Sequence, residues 1–309
     1  MQINKYIKDE LEFIKIDDGD FNIVLCNLGA SIYHIDFDSK PMTIEPINIE
    51  DFKKLNAYYG KTIGPVANRI KNGKLILEDQ VFEFPINEEP NSLHSGKDGI
   101  SAALFKSEII KNEGNIQIIY RLKNGRVEYS VLYTIKQNAT FTINFLVKVN
   151  SPYPISLTNH AYFCLGELSI ENLSLYIPSS KYIETGKTDL LPLYEKEVTS
   201  SLDFRKEKSI IKDINDELLQ NHRAKGYDHC FLLDDTSLYL KSKKYTLTIT
   251  TDFQAVQIYS FNYSDDIRMY SGQNKTGLGV AIEPEDNLLN KTLTKDIYQR
   301  SITYSFKKN

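Results

Sequence analysis

The chain has 309 residues, with 37 Lys and Arg against 41 Asp and Glu, a formal net charge of -4, 41% hydrophobic and 25% charged content. That balance is ordinary for a globular protein and argues against a nucleic-acid backbone or an anionic membrane as the main partner, since both call for clustered Lys and Arg. The length accommodates one large core and no Pro, Gly or Ser-rich linker interrupts it, so one domain over residues 1–309 is expected.

From Met1 to Ile16 the apolar residues are interrupted by Lys5, Lys8, Asp9, Glu10, Glu12 and Lys15, unlike the apolar stretch of a secretory leader. No window approaches the ~20 apolar residues of a membrane-spanning helix. Cys26, Cys164 and Cys230 form an odd set without a CxxC, each beside apolar neighbours. Reduced, buried thiols in a cytoplasm suit that pattern better than a disulfide framework.

Most of the chain has a period of two and is rich in Ile, Val, Thr, Tyr and Phe, which fit a pleated surface. In chain order, strands are predicted over 19–26, 31–37, 116–122, 128–137, 140–149, 245–251, 255–261 and 302–306. Turn chemistry separates them at Asp17-Asp18-Gly19-Asp20, Lys71-Asn72-Gly73-Lys74, Lys123-Asn124-Gly125-Arg126 and Asn150-Ser151-Pro152. Helical spacing is confined to 50–59 and 213–222, where Ile214, Leu218 and Leu219 share a face. Regular βαβ alternation is absent, and many antiparallel strands in one stretch imply an all-β fold, a large sandwich. Without a GxGxxG or GxxxxGK[ST] loop, a dinucleotide or triphosphate cofactor is unsupported.

Only 5 residues are His, and three of them lie in short polar islands. In chain order the islands are Asn68-Arg69, Asn91-Ser92-Leu93-His94, Thr158-Asn159-His160 and Tyr227-Asp228-His229, with a carboxylate in Ala281-Ile282-Glu283-Pro284. Arg69 sits among apolar residues, where its fork of donors suits vicinal hydroxyls or a structural ion pair. His94 reads as part of a ligand-facing loop or an Asx-type turn. His160 precedes the apolar run 161–166, so it is either a proton donor at a strand end or a satisfied core histidine. Asp228 could accept two hydroxyl hydrogen bonds or cap a turn. Glu283 follows small and apolar residues and reads as a buried base or as a solvated Glu before a turn, the latter supported by Glu285 and Asp286.

The order of these islands resembles the aldose 1-epimerase (galactose mutarotase) family, with motifs from about residue 58 to 290. The family's Gly-Arg-x-x-Asn-Arg-Ile is similar to residues 64–70, its Asn-x-Leu-His-Gly-Gly loop to 91–96, and its Thr-Asn-His-x-Tyr-Phe-Asn-Leu strand to 158–165. Its Asp-His pair is similar to Asp228-His229, its Val-Gln-x-Tyr-Thr to 256–260, and its Leu-Glu-Pro-Gln to 282–285. The resemblance implies a β-supersandwich, Glu283 as general base, His160 as general acid, and Arg69, Asn68, His94 and Asp228 as holders of hydroxyls and the ring oxygen. It implies interconversion of the α and β anomers of a free aldose such as galactose or glucose, by a monomer or homodimer, with no cofactor and no metal. Pro65, Ser95, Cys164 and Glu285 stand where the family has Arg, Gly, Asn and Gln, departures that bear on sugar preference rather than on the reaction.

That reaction asks for an ionised Glu283 beside a protonated His160, a state their mutual attraction favours and burial opposes. Three other readings remain open: a glycoside hydrolase using Asp228 and Glu283, a hexose-phosphate epimerase, and a non-catalytic sugar binder. A metal held by His94, His160, His229 and a carboxylate lacks the short spacing that preorganises ligands.

Overall fold

The computed structural model describes residues 1–55, 57–167, 169–263, 267–269 and 275–309. The alternation seen in the sequence becomes alternation of burial. In Thr140–Val149, Phe141, Ile143, Phe145 and Val147 are buried while the residues between them, Thr142, Asn144 and Leu146, are half-buried. Val127–Lys136 does the same with Tyr129, Val131, Tyr133 and Ile135. A two-residue turn joins Asn115–Asn124 to Val127–Lys136 in register Asn124↔Val127, and Gly125 there takes φ 57, a conformation open to Gly without a Cβ clash.

Three antiparallel sheets carry the fold. The first is a five-stranded meander from Gln2–Lys8 to Lys40–Pro41. In the nine-stranded second sheet, Ile297–Lys308 inserts between Thr140–Val149 and Tyr245–Thr251. The six-stranded third sheet runs in the order Tyr162–Phe163, Val280–Glu285, Ala255–Tyr259, Asp228–Leu232, Lys181–Thr185, Pro192–Glu197. The main core draws Ile14 and Ile23 from the first sheet, Phe141 and Phe145 from the second, and Ile258 and Ile282 from the third. Phe21 meets Phe141 at 6.4 Å between ring centres and Phe163 meets Tyr304 at 5.5 Å. The nine-stranded sheet is thus one layer of a sandwich whose other layer is the remaining two, as the all-β expectation requires. Each large apolar side chain buried this way stabilises by about 1.5–3 kcal/mol.

The predicted strands are present with shifted ends: the first begins at Phe21, the 255–261 segment ends at Tyr259, and 302–306 is the middle of Ile297–Lys308. Both helices are shorter than their spacing suggests. The 50–59 segment is helical only over Ile49–Lys53; Lys54 is extended (φ -60, ψ 155), Tyr58 has φ 54, and Asn56 lies outside the described residues. Buried Lys61 stops that helix by donating from Nζ to the carbonyls of Lys54 (2.9 Å) and Lys53 (3.4 Å). In 213–222 only Glu217–Gln220 is helical, with Asp216 capping it by accepting from Leu218 N–H at 2.8 Å.

Candidate active site

The site is built on the six-stranded sheet. Side chains alternate along a strand, so Ile258 and Ile282 enter the core while Gln257, Tyr259, Glu283 and Glu285 project from the opposite face. Register pairs Gln257 with Glu283 and Asp228 with Tyr259, which gathers Asp228, Gln257 and Glu283 on that face.

His160 arrives from outside the sheet. Thr158–Asn159 pairs with Thr62–Ile63, and the chain beyond is clamped to Gly60-Lys61: His160 N–H donates to Lys61 O and accepts, through its own carbonyl, from Gly60 N–H, both at 2.9 Å. Asn159 Nδ2 donates to Gly60 O at 2.8 Å. Gly60 has φ +63, and a Cβ there would fall 1.7 Å from Ile32 O, so only Gly fits the clamp.

The imidazole Nε2 of His160 lies 3.4 Å from Glu283 Oε1, with both side chains buried. Burial pushes the His160 ring down to about 4. It pushes Glu283 far above the ordinary carboxylate range, aided by Glu285 and Asp228 and resisted by Arg69. The ionised-Glu, protonated-His state expected from mutual attraction is therefore not the resting one, because loss of hydration outweighs attraction in both groups. The pair instead shares one proton, held on Glu283, with His160 neutral. His160 Nδ1 is buried without a hydrogen-bond partner among the described residues, and its own backbone and Asp228 favour the charged ring less than burial disfavours it.

A second ribbon, Arg69–Ile70 paired with Ser92–Leu93, forms one wall. Arg69 is held by Glu88 through Nε (2.6 Å) and Nη2 (3.1 Å) and reaches Asp228 from Nη1 at 3.4 Å. Asp228 also accepts from Gln257 Nε2 at 2.5 Å. Asn68 Nδ2 donates to Gln257 Oε1 (3.2 Å) and Glu285 Oε1 (3.3 Å). One polar chain thus runs from Glu88 through Arg69, Asp228, Gln257 and Asn68 to Glu285. Burial holds His94 neutral, well below the ordinary imidazole range, with His160 and Arg69 adding to the effect.

These groups line a cavity of about 350 Å³, within the range of small-ligand sites. All six residues singled out in the sequence, Asn68, Arg69, His94, His160, Asp228 and Glu283, face it. Glu88, Arg223, Gln257 and Tyr263 also line it and have no role assigned from sequence. Gln257 stands inside a family-like segment, which was a usable signal; Glu88, in an acidic turn beside Pro90, offered none. His229 points to the other face of the sheet, where its ring lies 5.3 Å from that of His222. It cannot join a metal site with His94 and His160, which corrects that four-ligand alternative. Ligating atoms of His94, His160 and Glu283 do come within 4.8 Å of one another. His94 Nδ1, however, accepts from Asn68 N–H at 3.1 Å, so the other ring nitrogen carries the proton and is a donor, which suits a hydroxyl rather than a cation.

The sequence model of the family described as aldose 1-epimerase matches residues 12–286. The chain belongs to the aldose 1-epimerase family. Rat (Rattus norvegicus) galactose mutarotase is 28% identical over 239 residues, covering 70% of this chain and 66% of the relative. The aldose 1-epimerase of Escherichia coli (strain K12) is 27% identical over 234 residues, covering 69% and 66%. The match therefore spans just under two thirds of these relatives' length. Among solved structures of the fold, the galactose 1-epimerase from Lactobacillus acidophilus NCFM superposes with a TM-score of 0.88 at 20% identity, covering 100% of this chain and 98% of that one. The aldose epimerase homologue from C. elegans gives 0.82 at 22%, covering 96% and 98%. Among the described residues of this family member, no helix is long and apolar enough to cross a membrane.

Proposed function

We propose that the chain is an aldose 1-epimerase, an isomerase that interconverts the α and β anomers of a free hexose such as galactose or glucose. The observation that carries this reading is the 3.4 Å contact of His160 with Glu283 in a cavity also lined by Arg69, Asn68, His94 and Asp228. Moving the shared proton from Glu283 to His160 creates a carboxylate and an imidazolium without changing the charge of the pair. The carboxylate takes the O1 hydroxyl proton as C1=O forms. The C1–O5 bond breaks, and O5 keeps its electron pair and takes the proton from His160. Rotation about C1–C2 presents the other carbonyl face, and the reversed transfers close the ring and restore the pair. Arg69, Asn68, His94 and Asp228 hold the hydroxyls and the ring oxygen while this happens.

The charge of the wall supports a neutral sugar. Arg69 is already shared by Glu88 and Asp228, and half-exposed Arg223 stands 3.6 Å from Glu88. A phosphorylated hexose would compete with those carboxylates for every guanidinium described in the cavity. Asp228, tied by Arg69 and Gln257 as an acceptor, suits hydroxyl binding better than the proton-donating half of a glycosidase pair. The reading extends to one domain working in the cytoplasm as a monomer or homodimer, which is consistent with three buried thiols and needs no nucleic-acid or membrane partner.

Polarimetry of freshly dissolved α-galactose and α-glucose tests the proposal. Glu283→Gln should lower kcat/KM by about 100 to 10,000-fold while the variant still binds sugar. Near-normal turnover in that variant would exclude Glu283 as the base.

A further inference from the structure

Glu283 is not the only carboxyl on its strand that turns away from the core. Two residues on, Glu285 projects from the same sheet face, about 7 Å along the strand, and is as buried as Glu283. A gap of two places both on the site side, and their cross-strand neighbours Gln257 and Ala255 leave no ion between them. Glu285 is an ionisable group where the motif of the family that the chain resembles reads Gln.

We propose that Glu285 is a positioning residue for the reaction, setting the orientation of Asn68 through a hydrogen bond and the proton affinity of Glu283 through its charge. The inference rests on the epimerase reading for its catalytic consequence but not for its physical content. Two features of the surroundings support it. Asn68 Nδ2 donates to Glu285 Oε1 at 3.3 Å and to Gln257 Oε1 at 3.2 Å, while Asn68 Oδ1 accepts from Arg69 N–H at 2.9 Å. With its amide nitrogen held this way, Asn68 keeps a fixed orientation in which Gln257 can offer Nε2 to Asp228.

The charged and titratable groups facing Glu285 come from every element packed on it. Glu283 shares its strand and Asp286 follows it, the Cys230 thiol donates from Asp228–Leu232, one strand beyond Ala255–Tyr259, and Lys291 approaches from the following loop. Lys291 also donates to Ala67 O at 3.4 Å, just before Asn68. Burial raises Glu285 to about 7, with Lys291, Cys230 and Asn68 pulling it down and Asp286 pushing it up. Its charge therefore forms across neutral pH. Once formed, it disfavours a second negative charge on Glu283, making Glu283 a stronger base and prolonging its protonated form toward alkaline pH.

The test is Glu285→Gln, whose amide oxygen still accepts from Asn68 but carries no charge. The Glu283 carboxyl is followed by NMR of protein labelled with ¹³C at glutamate carboxyls, its signal assigned by its absence from Glu283→Gln. In Glu285→Gln the Glu283 titration should fall by roughly one pH unit, the alkaline limb of the rate profile should fall with it, and KM should stay within about threefold. Glu285→Leu, which removes the acceptor as well, should in addition raise KM. A Glu283 titration unchanged in Glu285→Gln overturns the proposal, as does an unchanged KM in a folded Glu285→Leu. Because the NMR titration needs no turnover, it still decides the point if Glu283→Gln proves active and the epimerase reading itself fails.

Discussion

Asn68 and His94 hold each other through a reciprocal pair of hydrogen bonds: Asn68 N–H donates to His94 Nδ1, and His94 N–H donates to Asn68 O, both at 3.1 Å. Both residues have positive φ, 64 and 55, a conformation that costs of order 1 kcal/mol or more for a residue with a Cβ and persists only where surroundings impose it. The exchange fixes the tautomer of His94, leaving its Nε2–H as a donor, and the T-shaped contacts of its ring with Tyr58 (4.8 Å) and His160 (5.4 Å) fix its direction.

His94→Phe tests that arrangement. The ring shape is nearly kept, but Asn68 N–H loses its acceptor and the substrate loses a donor. An orphaned buried N–H costs about 1–3 kcal/mol, so the unfolding midpoint in urea should fall. KM should rise by roughly two- to tenfold, the value of one neutral hydrogen bond, with kcat changed less. A drop confined to kcat would give His94 a part in proton transfer instead.

The one-proton pair has a pH signature. The pair is competent while it holds a single proton. Below about 4, the value to which burial lowers His160, a second proton enters and activity is lost. On the alkaline side activity persists until Glu283, raised well above its usual range, gives up the remaining proton. Rates measured from about pH 3.5 to 9 in Glu285→Gln, which removes the carboxyl that titrates at about 7, and after subtraction of the spontaneous reaction, should therefore show no step near the ordinary imidazole value of about 6.5. An acid limb centred there would mean that burial does not govern His160.

Gly60→Ala should damage the site from beneath. The added Cβ meets a backbone carbonyl, which cannot swing aside, and the residue would also have to hold a left-handed φ. Relief requires moving the Gly60–His160 clamp. A destabilisation of about 3 kcal/mol or more is expected, and kcat should fall well beyond threefold at temperatures where circular dichroism still reports a folded sheet. A stable, fully active variant would show that His160 does not depend on this clamp.

The strands and the Gly125 turn were legible because period-two burial and positive-φ turn chemistry are local properties. The family-like islands were legible too, although sequence order could not say that Asn68 and His94 exchange hydrogen bonds across 26 residues. Other features depend on distant partners. The 50–59 helical spacing yields one short helix because Lys61, from outside the segment, occupies its last carbonyls. Glu88 reads as one more acid in a polar turn until the ribbon brings Arg69 to it. The protonation of His160 and Glu283 turns on how far each loses water, and that is a property of the packed site, not of the residues beside each in the chain.

Stability should peak near pH 6.5, because the buried titratable groups act with opposite signs on either side of it. Burial lowers His160 and His229 to about 4, His94 well below its ordinary range, and His222 less far. An unfolded chain protonates all four below about 6.5, so falling pH favours unfolding. Glu285, raised to about 7, and Glu283, raised further, keep protons in the fold that the unfolded chain releases above about 4.5, so rising pH favours unfolding. Between about 4.5 and 6.5 four imidazoles oppose three carboxyls, since burial also raises Glu45, and unfolding takes up a net of about one proton, so stability climbs with pH. Above 6.5 the four imidazoles drop out, leaving the carboxyls and His34 opposed only from about pH 8 by Lys61, which burial lowers to about 8. Although burial opposes it, the hydrogen bonds that its ring donates to Asp36 and Glu45 raise His34 to about 10, so its contribution, complete below 6.5, also fades as pH rises. Urea unfolding at about pH 5, 6.5 and 8 should give the highest free energy at the middle value, and Glu285→Gln should flatten the decline on the alkaline side. Stability that keeps rising from 6.5 to 8 would show that the buried carboxyls are not protonated in the fold.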